Sequence, residues 1–216
     1  MTRAVLWDLD GTLVDSEEYH WQSWRDTLAG DGVALTREQF LASFGQRNDR
    51  ILRTWLGADA PDERIVRIGE AKEAEYRRLA QVNGLVPLPG AAEWLARLHQ
   101  AGWRQAVASS APRANVEVVL RVLRLTPYFD AIVSAEDVTT GKPDPQVFLT
   151  AAARLQVLPS RSIVVEDAAA GIEAARRAGM RSVGVSRREV LAADLFVASL
   201  DQLPLHAFDA LLGTDP

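Results

Sequence analysis

At 216 residues, 48% hydrophobic and 25% charged, the chain has apolar material for one large domain or one domain carrying an insertion, and is neither disordered nor collagen-like. A net charge of -5 and a pI near 5.3 argue against nucleic acid as the main partner, because backbone binding needs clustered excess Lys and Arg. With no cysteine, disulfides, thiolate zinc sites and thiol nucleophiles are all excluded.

In chain order, Met1-Thr2-Arg3 runs into a short apolar stretch at residues 4–7, which reads as a buried strand and lacks the apolar region of a secretory signal. No uncharged apolar run approaches the roughly 20 residues of a membrane-spanning helix. A cytoplasmic protein with no membrane partner is therefore expected, and a monomer. Residues 17–28, 37–44, 48–56 and 62–79 carry helical patterns with no convincing strand among them, so 15–85 is expected to be an inserted helical subdomain rather than a loop. Its connections are 14–16 on one side and 83–89, with Gly84, Pro87 and Pro89, on the other.

Beyond it, apolar runs at 105–108, 131–133, 162–165 and 182–185 read as buried strands. They alternate with helical patterns at 91–101, 113–123, 146–155 and 171–178, several closed by glycine. This alternation implies an α/β fold with a doubly wound parallel sheet. The core is expected to span 1–14 and 86–216.

Ligands of such sheets bind beyond the carboxyl ends of the strands. The expected strand ends deliver Asp8 and Asp10, then Ser109 and Ser110, then Glu166 and Asp167; Lys142 follows the third strand in Thr140-Gly141-Lys142-Pro143. Each group alone has a local explanation as a turn or cap residue. Together they place four carboxylates, a hydroxyl and a lysine at one sheet edge. Such carboxylates repel one another unless a cation sits among them, and Mg2+ suits an oxygen-lined site that also holds phosphate.

Asp8-Leu9-Asp10-Gly11-Thr12-Leu13-Val14-Asp15-Ser16 resembles the first motif of the haloacid dehalogenase superfamily of phosphatases and phosphomutases. Ser109, Lys142 in Gly-Lys-Pro-Asp-Pro, and Glu166-Asp167 resemble the second, third and fourth motifs in order. The helical insertion is similar to the cap of the β-phosphoglucomutase and phosphoglycolate phosphatase branch. The resemblance implies Asp8 as nucleophile, forming an aspartyl-phosphate, and Asp10 as acid/base. It also implies Mg2+ on Asp8, the Asp10 carbonyl, Asp167 and Glu166 as ligand or orienter, with Ser109, Ser110 and Lys142 on the phosphoryl oxygens.

In the cap, His20, Trp21 and Trp24 share a helix face, and the tryptophans read as packing. His20, Arg47 and Lys72 fall where that branch places residues gripping sugar or a second phosphate. Lys72 lies in a charged stretch that reads on its own as solvated, whereas Gly45-Gln46-Arg47-Asn48 reads as a functional loop. The expected function is a phosphatase of a small phosphorylated metabolite, a sugar phosphate by the resemblance. A β-phosphoglucomutase interconverting β-glucose 1-phosphate and glucose 6-phosphate is the alternative, and a receiver-type phospho-aspartate signalling domain the next.

Overall fold

A computed structural model describes residues 2–43 and 46–213. Six strands, β1 (Ala4–Trp7), β2 (Arg104–Ala108), β3 (Ala131–Val133), β4 (Ser162–Glu166), β5 (Arg181–Val185) and β6 (Leu195–Val197), form one parallel sheet in the order β3-β2-β1-β4-β5-β6. All five expected strands are present. The sixth, Leu195-Phe196-Val197, pairs only with β5 and is partly exposed, so it lacks the long buried run that marks its neighbours.

Four helices, α1 (Glu17–Gly30), α2 (Arg37–Ser43), α3 (Asn48–Leu56) and α4 (Asp62–Asn83), separate β1 from the rest of the core. They pack around their own apolar cluster of Trp24, Leu28, Phe40, Ile51, Leu52, Ile65 and Ile68. The expected end of α2 at Phe44 lies outside the described residues. Helix α4 runs four residues past the expected Leu79, to Gly84 at φ +74°. Its apolar stripe ends at Ala80, and the exposed Val82 carries no periodic signal.

The other helices are α5 (Ala91–Gln100), α6 (Arg113–Val122), α7 (Gln146–Leu155), α8 (Ala169–Arg177) and α9 (Ala207–Leu211). Strand periodicity divides them between the two faces of the sheet. Val5, Trp7, Val107, Ile163 and Val165 point toward α5, α6 and α9, and Ala4, Leu6, Ala106, Ala108 and Val164 toward α7 and α8. Each large apolar side chain so buried contributes about 1.5–3 kcal/mol of transfer free energy.

The insertion leaves and rejoins the core at one place. Val14 bridges Pro87 in antiparallel fashion, and the Leu88 N–H donates to the Leu13 carbonyl at 2.9 Å. Among the described residues no helix is long and apolar enough to cross a membrane.

Candidate active site

Parallel register builds the site. Trp7 lies between Val107 and Val165, so the next residue of each chain segment, Asp8, Ala108 and Glu166, comes to the carboxyl edge of the three central strands. The Asp8 N–H still donates to the Val165 carbonyl at 2.9 Å, and that of Ser109 to Val133 at 3.0 Å. Thereafter the chain turns sharply: the Leu9 carbonyl accepts from Leu13 at 2.9 Å and Val14 at 3.2 Å, while the Gly11 N–H donates to Val14 at 2.8 Å. This turn holds Gly11 at φ +87°, and a β-carbon there would sit 2.0 Å from Asp167 Oδ2. Glycine is thus required both for conformation and for close approach.

Lys142 supplies the positive charge of this edge. Its Nζ donates to Asp8 Oδ1 at 2.5 Å and to Glu166 Oε2 at 2.7 Å. Glu166 Oε1 accepts from the Asp167 and Ala168 N–H groups, each at 3.2 Å. Space for that carboxylate depends on Gly171, where a β-carbon would fall 2.0 Å from Glu166 Oε2. Burial, then the Glu166 charge, pushes the Asp8 carboxyl up to about 8, against the pull of Lys142. Asp167 is raised well above the usual carboxylate range by burial and by Glu166 and Asp8. Burial alone would depress the Lys142 ammonium, but Asp8 and Glu166 raise it above its ordinary value.

One lysine therefore faces more negative charge than it neutralises. Asp8, Glu166 and Asp167 each offer an oxygen within 4.8 Å of the others, the hard donor set a divalent cation takes. These residues fit a metal centre.

Asp10 faces the insertion. Its Oδ1 accepts from Ser16 Oγ at 2.5 Å, lies 3.3 Å from His20 Nε2, and accepts from the Tyr76 hydroxyl at 3.4 Å. Burial works against its ionisation, but His20, with Ser16 and Lys72 in support, holds Asp10 below the usual range. His20 stacks on Tyr76 at 4.0 Å between centroids, and its Nδ1 is 2.8 Å from Lys72 Nζ. Lys72 is not solvated, as its charged surroundings suggest; it is 2% exposed, donates to Glu73 at 2.8 Å and lies over the Trp24 ring. Glu73 also accepts from Asn48 at 2.6 Å and from Asn115 of α6. Burial would raise this carboxyl, yet Lys72 and His20 hold it below its ordinary range.

A cavity of about 200 Å3 lies where core and insertion meet. Asp8, Asp10, Ser109, Ser110, Lys142, Glu166 and Asp167 line it from the sheet edge, His20 and Lys72 from the insertion. Ser109 Oγ accepts from the Ala111 N–H at 3.0 Å. Arg47 does not line the cavity; it reaches instead to carbonyls of the core. Trp24 both packs in the cap and reaches the cavity, with Phe40 and Ile51 beside it. Asn48 belongs to the loop read from sequence as functional, whereas sequence reasoning missed Glu73, Asn115 and Tyr76. Glu73 reads as half of a surface charge pair, and only its place beside Lys72 on a helix that also buries Tyr76 hints otherwise.

The chain matches known proteins along most of its length. The haloacid dehalogenase-like hydrolase family profile matches residues 5–185. The validoxylamine A 7'-phosphate phosphatase of Streptomyces hygroscopicus subsp. limoneus is 34% identical, over 86% of this chain and 86% of that protein. The beta-phosphoglucomutase of Bacillus subtilis is also 34% identical, over 94% and 92%. Among solved structures, CbbY from Rhodobacter sphaeroides in complex with phosphate superposes with a TM-score of 0.88 at 30% identity, covering 97% of this chain and all of that one.

Proposed function

We propose, on the premise that this chain belongs to the haloacid dehalogenase-like hydrolase family, that it is a Mg2+-dependent phosphatase of small sugar phosphates working through an aspartyl-phosphate on Asp8. The chain is a phosphatase or phosphomutase of this family, and membership of a hydrolase family sets aside the receiver-type reading. The core, 1–14 and 86–216, carries the chemistry, and the cap, 15–85, closes over it.

The observation that carries this reading is the convergence of Asp8 and Asp10, two residues apart, on one cavity with Lys142 and Ser109. Asp8 attacks phosphorus through a carboxylate oxygen, its carboxylate oriented by Lys142 on Oδ1 at 2.5 Å. Lys142 and the Ser109 hydroxyl, with Ser110 beside it, bind phosphoryl oxygens and stabilise the charge that builds on them. Asp10 rests ionised, held by Ser16 and His20. Arrival of a phosphate dianion raises its pKa, so that it carries the proton the leaving alkoxide needs. Once deprotonated again, it takes a proton from the water that attacks the aspartyl-phosphate. Asp8, Asp167 and the Asp10 carbonyl, with Glu166, would hold Mg2+, whose charge offsets the repulsion between an anionic nucleophile and an anionic ester. Glu166, with its oxygens on Lys142 and two backbone amides, also orients the lysine.

A mutase reading is favoured by one specific feature, the His20–Lys72 pair behind Asp10, which could guard the intermediate from water. The test is phosphate release from a panel of phosphometabolites with Mg2+, run beside Asp8→Asn. Release from sugar phosphates that disappears in the variant supports the proposal. Glucose 6-phosphate formed from β-glucose 1-phosphate with a bisphosphate primer, faster than phosphate release, would reverse the order of the two readings.

A further inference from the structure

We infer that Arg47 is a positioning residue that latches the cap onto the core loop carrying Lys142, rather than a group that grips the substrate. Its Nη1 donates to the Ala135 carbonyl at 3.1 Å and to the Val138 carbonyl at 3.3 Å. Both carbonyls lie between β3 and Lys142. The aliphatic stem of Arg47 lies over Gly141, the residue before Lys142: a β-carbon there would stand 3.0 Å from Arg47 Cδ and 3.3 Å from Cγ. A planar guanidinium can serve several carbonyl acceptors in a fixed geometry, which an ammonium on a flexible stem does poorly.

Placement of the neighbours separates the two roles. Gln46 and Asn48 line the cavity, whereas the Arg47 guanidinium between them is spent on carbonyls of the core. Arg47 is also the residue before α3, whose Asn48 and Ile51 contribute to the cavity wall. Docking its guanidinium on the 135–138 carbonyls therefore seats the amino end of α3 over the site. A second tie, from Asn115 of α6 to Glu73 of α4, joins cap and core through a different helix pair. Arg77 of α4 also donates to Asn115, and Arg188 of the core to Glu17 of α1, so Arg47 is one of several ties and the one that reaches the loop carrying Lys142; a tie of this kind acts on every substrate alike.

This inference rests on the proposed phosphatase reading, in which the closed cap is the competent state. Apparent affinity is reduced by the fraction of molecules in the competent state, so loss of the latch should appear chiefly in KM. The experiment compares wild type, Arg47→Ala, Arg47→Lys and Gly141→Ala on a sugar monophosphate and the matching bisphosphate, with solution scattering in Mg2+ and inorganic phosphate. For Arg47→Ala, kcat/KM should fall on the order of tenfold, about one charge-assisted hydrogen bond, by the same factor for both substrates and mostly through KM. Its scattering profile should be more extended than that of the wild type. Arg47→Lys should be intermediate, and Gly141→Ala should move the same way by less, since the arginine stem must give by a few tenths of an ångström. A loss confined to the bisphosphate would make Arg47 a phosphate grip and overturn the latch, as would unchanged kinetics with an unchanged profile. A wild-type enzyme that hydrolyses no ester would defeat the phosphatase reading instead, leaving the scattering comparison to decide the latch.

Discussion

The core and the cap handle buried charge in opposite ways. At the sheet edge Asp8, Glu166 and Asp167 share one ammonium, Lys142, and two of the three carboxyls are driven above their usual range. In the cap Lys72 and Glu73 pair one to one, with Asn48, Asn115 and His20 completing their hydrogen bonds, and Glu73 is held below its usual range. The core is left short of positive charge, which fits the proposed binding of a divalent cation among its carboxylates. The cap leaves little charge over, and His20 links its Lys72 to Asp10.

Substitutions can break this contrast, and the largest effect is expected at Asp8, the proposed nucleophile. Asp8→Asn should lower kcat on the order of 10^4-fold or more for every ester, while the protein melts no lower than wild type, because a desolvated carboxylate has been removed. Phosphate release and thermal melting read both, and retained turnover would break the core half of the contrast. Lys142→Ala should cost about 10^2–10^3-fold in rate and about 3–5 kcal/mol in stability, since it leaves buried carboxylates uncompensated. A urea titration and steady-state kinetics would show it.

Added Mg2+ should raise the melting temperature, by the equivalent of about 2.7 kcal/mol at a hundred times its dissociation constant. The sign of its pH dependence follows from Asp8, whose carboxyl rises from 3.8 to about 8 in the folded, metal-free protein. A raised folded-state pKa stabilises below pH 3.8, and that stability is lost as pH climbs toward 8. Magnesium stabilisation should accordingly be greater at pH 8 than at pH 6, where protons compete for the same oxygens. An equal shift at both would remove Asp8 from the ligand set. The smallest effect belongs to the cap. A double-mutant cycle of Lys72→Met and Glu73→Gln should return a coupling of about 0.5–3 kcal/mol, with altered substrate ratios rather than a uniform loss of kcat.

The same contrast governs what could be read without coordinates. Strand residues such as Val5, Trp7 and Val165 announce themselves by burial on both faces of a parallel sheet, and parallel register then carries Asp8 and Glu166 to one edge automatically. Short local turns do the rest, with Gly11 and Gly171 placed against the carboxylates they accommodate. In the cap no register exists. Glu73 meets Asn115, 42 positions away, only because α4 packs on α6, and Lys72 is buried only because His20, Trp24 and Tyr76 surround it. Periodicity finds these helices without saying how they are rotated about one another. The edge strand β6 and the five-residue α9 escaped for a simpler reason: each is too short to show a period.

The pairing of Val14 with Pro87 has a consequence for how such a protein can be altered. Because the two ends of the insertion lie side by side, joined by the Leu88-to-Leu13 hydrogen bond, its chain connections to the core meet at one closed junction. Antiparallel partners stand about 4.5–5.5 Å apart, a gap that a short turn or another helical bundle of matching end spacing can fill at little entropic cost. The sheet would not register the exchange, since β1 finds β2 and β4 through contacts that the insertion never enters. The insertion is in this sense separable from the sheet but not from the site: Ser16, His20 and Tyr76 all contact Asp10 Oδ1, so a graft between residues 14 and 87 would have to resupply those contacts.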